Sequence, residues 1–308
     1  MPQIAGIDLG TNTFRLLVAD LDDDGSLHPV HAESRITRLG EGFSKERRIT
    51  KAAQERAITA LDHFKTLLEQ YPVEDMIVVA TSAVRDAINQ DDFCKAILAK
   101  TGFEVQVITG EEEAYCSFLG IQLALQNHSE PMVVIDIGGG STEFITAENG
   151  APIGLLSLKL GVVHLAESYI RSDPPSEDEI QSLKSAIDAI IKPIAYPLPE
   201  HFVLVGTAGT VTTLAAMDQE MTVYDPKKIN GYRLSLNTVN RIFKYLSSLT
   251  LKERREWAGL EKGREDLIVP GMLIVKSVME QFACNVMIVS DYGLREGVLI
   301  HHAQKMGT

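Results

Sequence analysis

The sequence predicts an α/β protein of two related lobes, and two observations carry that prediction. Short β-type runs alternate with helical segments along most of the chain, the rhythm of sheets covered by helices. The chain also repeats itself. Ile7-Asp8-Leu9-Gly10-Thr11-Asn12-Thr13 returns as Ile135-Asp136-Ile137-Gly138-Gly139-Gly140-Ser141, with Asp8 and Asp136 separated by 128 positions. Each copy is an apolar run, an Asp, an apolar residue, a Gly, two small residues and a hydroxyl, which points to a duplicated lobe with a cleft between the copies.

The elements follow in order. Residues 4–9 and 14–20 are β-type runs around a small polar tip at 10–13, the pattern of a hairpin. Ala53, Ala57, Ala60, Leu61, Phe64 and Leu68 fall at helical spacing, and 76–80 is a compact run suited to a buried strand. A helix at 91–99, a strand at 104–108, a helix at 110–125 and a strand at 132–137 are expected next. The helix at 110 has an explicit start, because Thr109 followed three residues later by Glu112 is a capping box. Its first turn therefore carries Glu111, Glu112 and Glu113. Polar residues 126–131, ending in Pro131, make the best hinge in the chain. They set a first lobe at 1–125, completed by the C-terminal helix 294–308, and a second at 126–293. The second lobe has strand patterns at 142–147, 153–158, 202–205 and 286–290, and helical ones at 162–170 and 177–191.

At roughly 150 residues per domain, 308 residues suggest about two domains. Lys and Arg number 29 against 42 Asp and Glu, a net charge of −13 that repels nucleic acid and anionic lipid, so neither is expected as a partner. An anionic substrate survives this test, since backbone N–H groups with Mg²⁺ can hold phosphate on an acidic protein. Cys94, Cys116 and Cys284 are widely spaced without a C-x-x-C, which argues against a disulfide framework or a zinc site and for a reducing compartment. The N-terminal residues lack the basic and apolar regions of a secretion signal, and no apolar stretch reaches the ~20 residues that span a bilayer. A cytoplasmic location is expected.

The chemistry is concentrated in loops. Each repeat copy ends a strand on an Asp and turns through residues small enough for their N–H groups to approach an anion, with hydroxyls of Thr11, Thr13, Ser141 and Thr142 as further donors. A third turn, Gly206-Thr207-Ala208-Gly209-Thr210, leads from a strand into a helix, whose N-terminus favours anions. Three such turns, two related by repetition, point to phosphate. Other phosphate and metal signatures fail. No G-x-x-x-x-G-K-[ST] is present, Gly40-Glu41-Gly42 does not continue as G-x-G-x-x-G, and neither H-E-x-x-H nor G-x-S-x-G occurs. Residues 20–25 copy half a calcium loop but meet His31 where the loop needs Glu, and read as a solvated acidic turn.

Six motifs stand in order along the chain: Asp8-Leu9-Gly10-Thr11-Asn12-Thr13-Phe14, Ala80-Thr81-Ser82-Ala83-Val84-Arg85-Asp86-Ala87, Gly110-Glu111-Glu112-Glu113-Ala114, Asp136-Ile137-Gly138-Gly139-Gly140-Ser141-Thr142-Glu143, Gly206-Thr207-Ala208-Gly209-Thr210, and Ser290-Asp291-Tyr292-Gly293-Leu294-Arg295-Glu296-Gly297. Together they resemble the exopolyphosphatase and guanosine pentaphosphate phosphohydrolase (Ppx/GppA) family. The resemblance spans the chain and implies two ribonuclease-H-like lobes of the actin-like ATPase superfamily around a cleft, in the short form without a C-terminal helical extension. A homodimer is compatible with it.

The resemblance implies roles residue by residue. Glu113 is the general base, while Glu111 and Glu112 suit the helix dipole and the cap. A carboxylate fits the task, because phosphoryl transfer to water needs orientation and charge neutralisation more than a strong base. Asp136 and Glu143 match active-site carboxylates and are natural Mg²⁺ ligands, with Asp8 as the first-lobe equivalent. Arg85 matches a phosphate-contacting arginine, a surface salt bridge to Asp86 being its plainer alternative. Thr11, Asn12, Thr13, Gly138, Gly139, Gly140, Ser141, Thr142, Gly209 and Thr210 complete the substrate contacts. His164 stands where many relatives carry arginine. Arg264 and Asp266 suit a structural ion pair, and residues 292–297 suit a helix start.

The expected activity is release of terminal orthophosphate from inorganic polyphosphate, with short chains favoured because the acidic surface offers no extended basic channel. Hydrolysis of guanosine pentaphosphate uses the same terminal chemistry and is the alternative these motifs do not separate. A non-catalytic alarmone or nucleotide sensor and a sugar kinase are the rivals from other classes. The complete set of Glu113, Asp136 and Glu143 argues against the sensor, and a water-activating glutamate argues against the kinase.

Overall fold

The computed structural model describes residues 2–22, 26–125, 130–193 and 198–306. Most of the expected hinge at 126–131 and part of the acidic turn at 20–25 lie outside them. The chain divides into two compact units, Met1–Ile121 with Gly293–Thr308, and Gln122–Tyr292.

The first unit carries β1 (Gln3–Leu9), β2 (Thr13–Leu21), β3 (Leu27–Ile36), α1 (Phe43–Glu46), α2 (Lys51–Leu68), β4 (Val73–Ala80), α3 (Ser82–Arg85), α4 (Gln90–Thr101), β5 (Val105–Val107) and most of α5 (Gly110–Ala124). The second carries β6 (Met132–Ile137), β7 (Thr142–Glu148), β8 (Ala151–Leu158), α6 (Val162–Tyr169), α7 (Glu177–Ile191), β9 (Val203–Thr207), α8 (Ala208–Asp218), α9 (Pro226–Ile229), β10 (Arg233–Ser235), α10 (Leu236–Leu246), α11 (Leu251–Arg254), α12 (Ile268–Gln281) and β11 (Val286–Val289). The last helix, α13 (Leu294–Met306), returns to the first unit.

Each unit is built on one mixed sheet. The first has the order β3-β2-β1-β4-β5 and the second β10-β11-β9-β6-β7-β8. Reversed, the second reads β8-β7-β6-β9-β11, the same succession of two antiparallel and two parallel pairings, with β10 added antiparallel at the edge. The duplication seen in seven residues therefore extends to the whole sheet. It extends even to an irregularity. The β2–β3 register shifts between Val18 and Ala19 and the β7–β8 register between Thr146 and Ala147, again 128 positions apart. Ala19 pairs with Pro29 and Ala147 with Pro152. Proline has no N–H to give the ladder, which accounts for a bulge at both places.

The central strands β1 and β6 are buried along nearly their whole length, which is why they read as unbroken apolar runs. Helices cover the sheets through apolar faces that capping side chains help to start. Thr50 accepts from the Ala53 N–H at 3.2 Å, and α2 then buries Ala53, Ala57, Ala60, Leu61 and Phe64 in the first core. In the second unit Ser176 and Glu179 form a capping box on α7, which buries Leu183, Ile187 and Ile191. Within the first unit α13 lies against α5 with almost no side chain intervening. A Cβ on Gly297 would stand 1.6 Å from the Cys116 carbonyl oxygen, and one on Gly120 2.0 Å from that of Gly293.

Candidate active site

Glu113 is positioned by the start of α5. Thr109 accepts from the Glu112 N–H at 3.1 Å and Glu112 accepts from the Thr109 N–H at 2.8 Å, so both halves of the expected capping box are made. These hydrogen bonds hold the Glu112 carboxyl below its usual range. With Glu112 committed to the cap, Glu113 turns inward and is 6% exposed. Its Oε2 accepts from Arg85 Nη1 at 2.8 Å, and the same nitrogen donates to the Ile108 carbonyl at 3.0 Å. Arg85 stands at the end of α3, which follows the buried C-terminal end of β4. The arginine and glutamate singled out separately in the sequence are therefore partners.

The Gly10–Thr13 turn of the first unit joins β1 to β2. Its carbonyls are drawn inward: Thr37 and Arg38 N–H groups donate to Asn12 O at 3.0 and 2.9 Å, and the Gly40 N–H to Thr11 O at 2.8 Å. Because the C=O of one residue and the N–H of the next point in opposite directions, an inward Thr11 carbonyl turns the Asn12 N–H the other way. Thr11, Asn12 and Thr13 are all buried. Asp8, 3% exposed, faces Arg15 across the hairpin, and Arg15 Nη1 reaches its Oδ2 at 3.3 Å.

The second unit repeats this with changes. Asp136 pairs with Glu143 across β6 and β7, placing two carboxylates side by side at 8% and 1% exposure. Ser157, opposite Glu143 on β8, donates to its Oε1 at 2.8 Å. The intervening turn closes with a Gly138 N–H to Ser141 O bond of 2.9 Å. The Val162 and Val163 N–H groups at the start of α6 take the Gly138 and Gly139 carbonyls at 3.2 and 2.9 Å, which turns the Gly139 and Gly140 N–H groups away from α6. The close seat requires glycine, since a Cβ on Gly161 would lie 2.3 Å from the Gly139 oxygen and the Gly140 backbone. Thr142 ties the turn down by donating to the Leu160 carbonyl.

The third turn differs from its sequence outline. β9 runs on to Thr207 and α8 begins at Ala208, so Gly209 and Thr210 occupy the first turn of that helix. Ala208 has a φ of 68°, a left-handed conformation that costs a non-glycine residue energy. Thr207 does not cap α8; its hydroxyl donates to the Tyr292 carbonyl at 3.0 Å. Arg264 lies under this turn, for a Cβ on Gly209 would come within 2.5 Å of its guanidinium. Arg264 pairs with Glu261. His164 lies exposed on α6. Arg15, Ser157 and the seat of Arg264 were not found by motif, although adding the 128-residue repeat to position 15 leads to Glu143.

The carboxylate pair suits a hard cation. Asp136 and Glu143 offer oxygen donors on one face of a hairpin, and Mg²⁺ takes one or two carboxylates and fills its remaining positions with water and phosphate oxygens. Among the described residues no group of three or more His, Cys, Asp or Glu converges as a metal site, so the pair is the scale of site on offer.

Comparison with known proteins turns this arrangement into a family. The model of the Ppx/GppA phosphatase family matches residues 17–306. The chain belongs to that family. It is 35% identical to Exopolyphosphatase 2 of Mycobacterium tuberculosis, over 97% of this chain and 98% of that protein. An exopolyphosphatase from Cytophaga hutchinsonii matches with a TM-score of 0.89 at 31% identity, covering 98% of each chain. The Ppx/GppA member from Aquifex aeolicus matches with a TM-score of 0.83 at 31% identity, over 100% of this chain and 99% of that one. The α/β fold of this Ppx/GppA member, one helix-covered sheet per unit, is that of these relatives.

Proposed function

We propose that the protein is an exopolyphosphatase that removes the terminal phosphate of inorganic polyphosphate, with Glu113 as the group that directs water. The observation that carries this reading is the Arg85–Glu113 pair. Arg85 donates to Oε2 and so orients the carboxylate, which in this reading accepts a hydrogen bond from the attacking water. That water attacks the terminal phosphorus, the bridging P–O bond breaks, and the shortened chain departs with the electrons of that bond. The proton lost by the water passes to the Glu113 carboxylate. Thr11, Asn12 and Thr13 in one unit, and Gly138 through Thr142 with Gly209 and Thr210 in the other, are the proposed phosphate contacts, acting through N–H groups and hydroxyls. Asp136 and Glu143 would hold Mg²⁺. When bound, that ion supplies neutralisation of phosphate charge.

Membership of a phosphatase family supports the reaction class, and the relatives named exopolyphosphatase support the substrate. No helix among the described residues is long and apolar enough to cross a membrane. The deciding experiment measures orthophosphate release with Mg²⁺ on long polyphosphate, short polyphosphate, guanosine pentaphosphate and ATP side by side. Release from polyphosphate, fastest per chain end on short chains, is the expected result. Release from pentaphosphate alone would reassign the substrate, and silence on all four would leave a sensor.

A further inference from the structure

The two faces of the first unit's sheet are filled unequally. Val78 and Ala80 of β4 enter the large core with α2 and α4, whereas Val79 joins a small cluster with Ile108, Cys116 of α5 and Val298 of α13. Helices α5 and α13 meet through glycines, Gly120 against Gly293 and Gly297 against Cys116. One turn further along each helix, at Glu112 and His301, full side chains follow, and a cavity of about 40 Å³ opens between the helices and the sheet. The buried Val79, Ile108, Cys116 and Val298 line its inner part. By the same measure one water takes about 10–15 Å³, so the space holds roughly three non-hydrogen atoms. Burial pushes the Cys116 thiol up to about 12, so it stays neutral beside three aliphatic side chains that offer water no partner. An isopropyl group suits this space. The outer part carries both signs of charge. Hydrogen bonds from Thr109 hold the Glu112 carboxyl below its usual range, and Lys305 lies within electrostatic reach of it. His301 and His302 stand beside them, but burial lowers His301 from its usual value and His302 is engaged with Asp75 at 2.5 Å.

We propose that this cavity binds a small aliphatic α-amino acid the size of valine. The side chain fills the inner space, the carboxylate meets the Lys305 ammonium, and the ligand's ammonium meets the Glu112 carboxylate. Phosphate or another plain anion would leave the aliphatic walls without a partner and face the Glu112 charge, whereas a plain hydrocarbon would use neither charge. The cavity adjoins the Arg85–Glu113 pair. Ile108 gives its side chain to the cavity and its carbonyl to Arg85, and Glu112 directly precedes Glu113 in the first turn of α5. A bound amino acid therefore restrains the turn that carries Glu113. The inference does not rest on the proposed activity, because every readout of its test is binding.

The first readout is calorimetric titration of the full-length protein with L-valine, beside L-alanine, isovalerate and isobutylamine. Valine should bind in the millimolar range or tighter, and each of the others roughly tenfold more weakly. Alanine lacks two carbons of the side chain, isovalerate lacks the ammonium and isobutylamine the carboxylate. No binding of valine, or equal affinity for all four, would overturn the proposal. Lys305 is exposed, so Lys305→Glu should fold, and it reverses one charge at the cavity. It should weaken valine at least about tenfold and leave isobutylamine as before. Unchanged valine affinity in that variant would overturn the assignment of the carboxylate. Val298→Ile adds one carbon to the inner wall and should weaken valine more than alanine; the reverse order would remove the side chain from the cavity. The second readout is amide hydrogen exchange with and without valine. Slower exchange at residues 109–114 and 298–305 is expected, and protection confined to other segments would place the amino acid elsewhere and sink the inference.

Discussion

Arg85 and Glu113 form a largely buried ion pair, with Nη1 at 2.8 Å from Oε2 and side-chain exposures of 22% and 8%. The plainer partner for Arg85 in sequence was its neighbour Asp86. The fold instead brings in a residue 28 positions away, because α3 and the first turn of α5 follow the parallel neighbours β4 and β5. The pair joins the Ala80–Ala87 and Gly110–Ala114 motifs in space.

Glu113→Gln separates binding from chemistry. Glutamine keeps the size of glutamate and a carbonyl oxygen for Arg85, but it does not take a proton from water. Turnover on polyphosphate should fall by about 10²–10⁴-fold, the usual contribution of a positioned acid or base, while tripolyphosphate affinity is kept. Steady-state orthophosphate release and calorimetric titration check the two halves. A turnover near that of the parent protein would remove Glu113 from the mechanism.

Arg85→Met keeps the bulk of the side chain and removes its charge, leaving Glu113 buried without its arginine. The expected loss is about 1–3 kcal/mol, below the range for fully buried pairs because Arg85 is partly exposed. Adding Glu113→Gln should recover part of it. Urea denaturation of the two single variants and the double variant measures the coupling. Strict additivity would mean that the pair contributes no interaction energy.

Gly297→Ala tests the contact between α13 and α5. The added methyl would stand 1.6 Å from the Cys116 carbonyl oxygen, a backbone atom with no room to yield. A loss of at least about 1–3 kcal/mol is expected, as for overpacked cores, with faster amide exchange in α13. A melting temperature equal to that of the parent would show that the helices separate at little cost. The same closeness shields Cys116, whose thiol burial pushes up to about 12, so thiol reagents should label it only on unfolding.

Much of the fold was legible because its central parts obey simple periodicities. β6 was read with its observed ends, and the capping box at Thr109 and Glu112 is made as the spacing required. β3 was not read at all. It is an edge strand, Leu27–Ile36, with mostly exposed residues and a proline, so nothing apolar marks it. β10 is three residues long and buries only Leu234, too little for a pattern. Around the candidate site, motif and repeat single out Glu113, Arg85, Asp136 and Glu143. They do not single out Arg15 and Ser157, since each acquires meaning only from the residue opposite it, and cross-strand pairing depends on a register that no motif states. Arg264 was read as a salt-bridge residue; its ion pair with Glu261 is present, but its place beneath Gly209 depends on the tertiary path of the 261–266 loop.

Glu179 gives the second unit an acid-sensitive point. Hydrogen bonds from the Ser172 hydroxyl and the Ser176 and Arg171 N–H groups lower its carboxyl from the ordinary 4.5 to about 2. A group depressed by folding contributes stability that is complete above its unfolded value and lost as pH falls towards its folded one. The difference in stability between the parent protein and Glu179→Gln should therefore be full at pH 6, shrink from pH 4.5 downward and vanish near pH 2. Urea denaturation across this range checks it. A difference independent of pH would mean that the carboxylate charge is not what organises the start of α7.

Asp136→Asn should oppose stability to function. In EDTA, Asp136 and Glu143 repel each other across the hairpin, and opposed like charges cost roughly 0.2–1 kcal/mol. Removing one charge should raise the melting temperature in EDTA, by up to about 4 °C for a unit of this size. The price appears on adding Mg²⁺. If the ion binds there, the parent protein should gain stability through binding to the native state, whereas the variant, with half the donor charge, should gain little. Melting curves of both proteins in EDTA and across a Mg²⁺ titration should therefore cross, the variant melting higher without metal and lower with it. A variant that melts lower under both conditions would mean that Asp136 is structural. One that gains from Mg²⁺ as the parent does would place the ion elsewhere in the protein.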